Sequence, residues 1–211
     1  PDKYVSVIKL VVAGDAAMDK NYLQLTDGKV MMDAYNANIH DLEYVAGKPI
    51  KAIDMKMFTV PNRRPNLPDD YTGPWDYQKY KKPGEGIMPG RGLTVSGFHT
   101  KGQALSWDFK MYEPGSYEVV VVCHVTKNEK WEPDGKMRAY IAGQSVENQL
   151  IENKRLKTIT MPKEMELQAV LGSVNIEASG AYTLTLEVSS DFKNNIPKLK
   201  GVMLVPTNKF E

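Results

Sequence analysis

The sequence is poor in the residues with which small proteins usually do chemistry: one cysteine and three histidines among 211 residues. A single thiol permits no internal disulfide. Cys123 ends the apolar run Val119-Val120-Val121-Val122-Cys123, which predicts a buried, inert side chain rather than a nucleophile. His40, His99 and His124 show none of the HxH, HExxH or Cys–His spacings that hold a metal. A GxSxG elbow, a phosphate-binding GxxxxGK[S/T] loop, a dinucleotide GxGxxG turn and a DxDxDG calcium loop are all missing. The Gly-rich stretch Pro83-Gly84-Glu85-Gly86 precedes no helical pattern, so it lacks the helix N-terminus that would bind phosphate. No cofactor is expected, and calcium has no motif to support it.

Net charge is scarce as well. The 27 Lys and Arg against 26 Asp and Glu leave +1, which excludes the basic footprint of a nucleic-acid binder. No apolar run approaches the ~20 residues of a membrane span, and no secretory signal pattern opens the sequence. Its first residue is Pro1, from which a mature or trimmed fragment is expected. The carboxylate neighbours Asp69-Asp70 and Glu164/Glu166 read as solvated surface, because adjacency does not set the cleft separation that a glycosidase pair requires. Hydrophobic content of 42% and charged content of 25% match a folded globular chain.

A helical period is missing too, and a period of two is present. Leu105, Trp107, Phe109 and Met111 alternate with Ser106, Asp108 and Lys110; Tyr182, Leu184, Leu186 and Val188 alternate with Thr183, Thr185 and Glu187. Trp107 therefore reads as core. Residues 117–125 are apolar on both faces, as in a strand buried mid-sheet. Further strands are expected at Val5–Val12, Lys29–Tyr35, Ile50–Phe58, Leu93–Phe98, Met137–Ile141, Leu156–Met161, Leu167–Leu171, Val174–Ala178 and Lys200–Val205. Between them fall turn clusters at Glu113-Pro114-Gly115-Ser116, Glu132-Pro133-Asp134-Gly135, Ala142-Gly143-Gln144 and Ser179-Gly180. The nearest approach to an amphipathic helix, Met18–Asp27, is short and ends at Gly28. Many short strands at even spacing predict an all-β chain, an antiparallel β-sandwich of jelly-roll type.

Two stretches interrupt that rhythm. Residues 1–28 precede the regular pattern and are expected to close a preceding domain, leaving 29–208 as the sandwich. Residues 43–91 form a long insertion. Its part from 59 to 91 holds Pro61, Pro65, Pro68, Pro74, Pro83 and Pro89 among several glycines, the composition of a functional or irregular loop. Within it, Tyr71-Thr72-Gly73-Pro74-Trp75-Asp76-Tyr77-Gln78-Lys79-Tyr80 sets four rings among polar groups. Rings that stack on sugar C–H faces beside groups that bond hydroxyls make a generic ligand site, which nominates Trp75, Asp76 and Tyr77. The same rings would equally pin the loop to the sandwich or to a neighbouring domain. Trp131, in the loop Lys127–Gly135, is a further candidate ring.

In their order along the chain, several segments resemble the galactose-binding-like sandwiches, of carbohydrate-binding-module type, appended to glycoside hydrolases. These are Met31-Met32-Asp33-Ala34-Tyr35-Asn36-Ala37-Asn38-Ile39-His40, Leu93-Thr94-Val95-Ser96-Gly97-Phe98-His99, Ala104-Leu105-Ser106-Trp107-Asp108-Phe109, Glu113-Pro114-Gly115-Ser116-Tyr117-Glu118-Val119 and Leu199-Lys200-Gly201-Val202-Met203-Leu204-Val205-Pro206. The stretches Ala139-Tyr140-Ile141-Ala142-Gly143-Gln144, Leu171-Gly172-Ser173-Val174-Asn175-Ile176 and Tyr182-Thr183-Leu184-Thr185-Leu186 agree. The C-terminal domains of bacterial α-L-fucosidase-like enzymes are the family this pattern resembles.

The resemblance implies a non-catalytic accessory domain of a secreted or periplasmic glycoside hydrolase. The (β/α)₈ barrel of such enzymes takes ~250 residues and lies elsewhere, so the chain itself is not expected to be an enzyme. Residues 3–14 look like the last strand of the small β-domain that follows the barrel. Relatives place a polar sugar contact just before the final strand, which falls on Asn194 or Asn195. They commonly show Gly-aromatic-Trp where this chain has Gly97-Phe98-His99; His99 is the candidate contact at that place, and either Trp75 and Tyr77 of the insertion take over the stacking of the missing Trp or the domain packs against its catalytic partner without binding sugar. The expected partner is a glycan or the catalytic domain of the parent chain. The alternative is a structural domain that packs against the barrel and stabilises it without binding sugar.

Overall fold

The structure is a computed structural model that describes residues 21–40, 94–158 and 164–207 in full and residues 50–51 and 88–89 as strand backbone. The strands in chain order are β1 (Tyr22–Leu23), β2 (Val30–Asp33), β3 (Asn38–His40), β4 (Ile50–Lys51), β5 (Met88–Pro89), β6 (Val95–Ser96), β7 (Ala104–Met111), β8 (Gly115–Thr126), β9 (Lys136–Ile141), β10 (Gln144–Gln149), β11 (Lys154–Lys157), β12 (Glu164–Ile176), β13 (Gly180–Ser190) and β14 (Leu199–Pro206). They form two sheets of seven strands. Sheet A runs β10-β9-β13-β7-β3-β4, with β1 alongside β7; sheet B runs β11-β12-β8-β14-β6-β5, with β2 alongside β14. Every pairing is antiparallel except that of β1 with β7, which is parallel. Inward side chains of both sheets meet in a single core, so the chain is an all-β sandwich.

The alternation of the sequence becomes the core. Leu105, Trp107, Phe109 and Met111 of β7 face Leu184, Leu186 and Val188 of β13 and, from the other sheet, Val119, Val121 and Cys123 of β8. Trp107 is buried, and its indole N–H donates to the Asp33 carbonyl at 2.8 Å, so its single polar atom is satisfied inside the apolar layer. The Asp33 carboxylate accepts from the Asn36 N–H at 3.0 Å, capping the 3₁₀ turn Ala34–Asn36, and from the Tyr22 hydroxyl at 2.8 Å. Burial and the neighbouring Asp33 charge push the Tyr22 phenol above its usual range. Tyr22 thus ties the first described residues to this core, and β1 lies in sheet A within the Met18–Asp27 stretch that carries the weak helical pattern.

Three elements differ from the sequence expectation. The strands expected separately at Leu167–Leu171 and Val174–Ala178 are one, β12. A bulge between Val170 and Gly172 absorbs Leu171, and pairing with β8 continues on both sides. Strand β10 was not anticipated, because its only apolar residue is Val146; it is an edge strand whose pairing with β9 is fixed by the two-residue turn Ala142-Gly143. The strand expected at Leu156–Met161 overlaps β11, which begins two residues earlier at Lys154; residues 159–161 lie outside the described residues. The strand expected at Val5–Val12 lies outside the described residues. Among the described residues no helix is long and apolar enough to cross a membrane.

Candidate functional site

Three loops meet at one end of the sandwich: 97–103 between β6 and β7, 127–135 between β8 and β9, and 191–198 between β13 and β14. Each ends in a strand that the core holds rigidly, and a set of polar side chains cross-links them.

Phe192 sits at the centre of this end. It is buried, its N–H donates to the His99 carbonyl at 2.9 Å, and its ring lies against Gly135. A Cβ on residue 135 would sit 2.5 Å from that ring, so packing alone demands glycine there. Asp191 accepts from the Lys101 N–H at 2.6 Å. The buried Gln103 amide oxygen accepts from the N–H groups of His99 and Thr100, each at 2.9 Å. These bonds fix the 97–103 loop to the 191–198 loop.

The 127–135 loop is held just as closely. Asp134 Oδ1 accepts from the N–H groups of Lys193 at 2.9 Å and Asn194 at 3.0 Å, while Oδ2 accepts from Asn194 Nδ2 at 3.1 Å. Those donors favour the charged carboxylate, and the Asn194 N–H foremost holds Asp134 below its ordinary pKa. Asn195, in the left-handed region at φ 46°, accepts from the Glu132 N–H at 3.0 Å and donates Nδ2 to the Lys130 carbonyl at 2.9 Å. Trp131 is half-buried against the core, with its indole N–H donating to the Leu150 carbonyl at 2.6 Å. From β11, Arg155 donates to the Glu129 carbonyl at 3.0 Å while its other nitrogens bond Glu152.

Of the residues nominated by the sequence, four come together here: His99, Trp131, Asn194 and Asn195. Their polar atoms are largely spent on the protein itself. The Asn195 amide is engaged at both ends, Asn194 through Nδ2, and Trp131 through its only donor. The ring Nδ1 of His99 is buried and has no hydrogen-bond partner among the described residues. Trp75, Asp76 and Tyr77 lie outside the described residues.

The other two histidines lie on the sheets. His40 Nε2 is 2.9 Å from Ser106 Oγ, and His124 Nδ1 is 3.9 Å from the Glu164 carboxylate. Cys123 is fully buried, and burial pushes its thiol up to about 12. Glu166 is ion-paired with Lys200, a partner that sequence adjacency does not reveal. Among the described residues no three His, Cys, Asp or Glu side chains converge as a metal site.

The residues that organise this end were not nominated from sequence: Asp134, Gln103, Asp191 and Phe192. Asp134 had a visible signal, since it stands in the turn cluster Glu132-Pro133-Asp134-Gly135. Asp191 and Phe192 had none, because their partners, the Lys101 N–H and the His99 carbonyl, belong to a loop some 90 residues away, and Gln103 bonds the N–H groups of His99 and Thr100 in its own loop without a motif that marks it.

No family model and no curated protein matches this chain. Solved structures do. An α-L-fucosidase from Vibrio sp. strain EJY3 matches over 92% of this chain and 25% of its own, at 16% identity and a TM-score of 0.53. A GH26-CBM35 β-(1,4)-mannanase from Podospora anserina matches over 86% of this chain and 28% of its own, at 12% identity and a TM-score of 0.40. A Paenibacillus xanthan lyase matches over 54% and 10%, at 16% identity and a TM-score of 0.36. The fucosidase likeness establishes a shared fold. The chain is an all-β sandwich that spans about a quarter of the length of that enzyme.

Proposed function

We propose that this chain is a non-catalytic accessory sandwich of an α-L-fucosidase-like glycoside hydrolase acting in the periplasm or outside the cell, and that its clamped loop end contacts glycan. The observation that carries this reading is the convergence of Trp131, His99, Asn194 and Asn195, from three loops, at one end of the sandwich. The fold likeness to an α-L-fucosidase supports the same class.

The bonds that occupy Asn194 and Asn195 give these residues a specific part in that reading. They fix the loops before ligand arrives, so little conformational entropy is lost on binding. The half-buried Trp131 ring supplies an apolar face for sugar C–H groups, and the exposed Glu132 and Asp134 carboxylates supply acceptors for hydroxyls. Trp75, Asp76 and Tyr77 belong to the reading as a second set of contacts. A neutral sugar also suits a chain of net charge +1, which offers no field to steer an ionic ligand.

The test is calorimetric titration of the chain with fucose- and galactose-terminated oligosaccharides. Binding weakened about tenfold or more by Glu132→Ala and by Trp75→Ala is expected, a loss of ~1.4 kcal/mol or more for each. Binding to none of these glycans overturns the reading, and hydrolysis of any of them by the purified chain overturns its non-catalytic part.

A further inference from the structure

Strand β12 runs for thirteen residues, and its two edges are covered unequally. On one side β8 pairs with it from end to end, whereas β11 on the other side reaches only Met165–Gln168. Beyond Gln168 no strand borders that outer edge among the described residues. From Leu167 to Ile176 the strand carries no charge and no proline, and half of it is Leu, Val and Ile. A long, uncharged edge of that composition is a template on which another chain adds a strand.

Two side-chain amides occupy places that a strand would fill. The Asn153 N–H donates to the Gln168 carbonyl at 2.9 Å, and its Oδ1 accepts the Val170 N–H at 2.8 Å, so the β11 ladder runs on past its last paired residue. Near the other end of β12, Gln144 of β10, in sheet A, meets Asn175. Gln144 Oε1 accepts the Asn175 N–H at 3.0 Å, and its Nε2 donates to the Asn175 carbonyl at 2.5 Å. Exchanging both bonds with one residue is what the main chain of an antiparallel partner does. Between these two points β12 bulges, and Val146 of β10 packs on Gly172, where a Cβ would lie 3.0 Å from the valine side chain. The bulge bends the edge away from a straight partner. We propose that Gln144 and Asn153 are surrogate strand residues that seal the outer edge of β12, and that this seal stops another copy of the chain from pairing there. Neither residue is a candidate glycan contact, so the proposal is independent of the glycan reading.

Amide hydrogen exchange on the full chain, followed by NMR, tests the seal. Asn153→Ala speeds exchange at Val170, and Gln144→Ala at Asn175, each about tenfold or more, while the β8 amides keep their rates. Light scattering at ~50 µM then tests what the seal prevents: the double variant associates into species heavier than the wild-type chain forms. Asn195→Gly, which loses two amide bonds away from this edge, is the control for destabilisation and associates no more than wild type. Where the double variant does not fold, either single variant is held to the same comparison. Unchanged exchange at Val170 and Asn175 in the folded variants overturns the seal. Association that only matches wild type or Asn195→Gly overturns its role against pairing.

Discussion

Asp134 and Asn194 are joined twice: one carboxylate oxygen accepts the Asn194 main-chain N–H at 3.0 Å, and the other accepts its side-chain Nδ2 at 3.1 Å. With the Lys193 N–H on the first oxygen, Asp134 ties the 127–135 loop to the 191–198 loop by three bonds.

A pH dependence follows from the state of that carboxylate. Its pKa is depressed in the folded chain, so its contribution is fully present above the unfolded carboxylate value of ~3.8 and is lost as pH falls through the lower folded value. Asp134→Asn keeps the shape and removes the charge. It should lower the melting temperature at about pH 7, and the gap from wild type should narrow at about pH 3. A gap that is the same at both values would show that the charge does not stabilise the clamp.

Asn195 separates backbone strain from hydrogen bonding. Asn195→Ala loses both amide bonds and keeps a β-carbon at φ 46° without asparagine's tolerance of the left-handed region, at a cost of ~2–3 kcal/mol. Asn195→Gly loses the same bonds without the strain and should be milder by roughly 1 kcal/mol. Urea unfolding of the two variants measures the difference. Equal losses would mean that the left-handed conformation costs alanine nothing here.

The β9–β10 turn carries a correctable defect. Ala142 and Gly143 have φ of 50° and 74°, the type I′ pattern that asparagine followed by glycine fits best. Ala142→Asn should therefore stabilise the chain by about 0.5–1 kcal/mol, read as a raised urea midpoint at unchanged slope. A lowered midpoint would contradict the turn geometry.

Cys123 reports the integrity of the core. Fully buried, with its thiol pushed up to about 12, it holds almost no thiolate at neutral pH. A thiol reagent should leave the native chain unlabelled for hours and react within minutes in denaturant. Fast labelling of the native chain would place Cys123 outside the core.

Much of the fold is legible in the sequence wherever packing follows a short period. Leu105, Trp107, Phe109 and Met111 alternate, and they are the inward face of β7. The apolar run around Val121 predicts a central strand, and β8 lies between β12 and β14. The sequence alone does not explain why that run is apolar on both faces: Val119, Val121 and Cys123 enter the core, whereas Val120 and Val122 face outward. Strand β10 was not legible because an edge strand with mostly exposed residues carries no apolar period.

The functional end divides along the same line. His99, Asn194 and Asn195 were nominated by resemblance and Trp131 by its loop, and chain order gave no measure of their proximity. Local sequence determined the all-β class, the core face of each long strand, the buried thiol and the turn positions, because each depends on residues a few positions apart. Tertiary structure alone decided that three loops share one end and that the two asparagine amides bond protein. Those facts rest on strand register and on hydrogen bonds between residues 59 to 90 positions apart, such as Lys193 to Asp134 and Lys101 to Asp191, which no local pattern encodes.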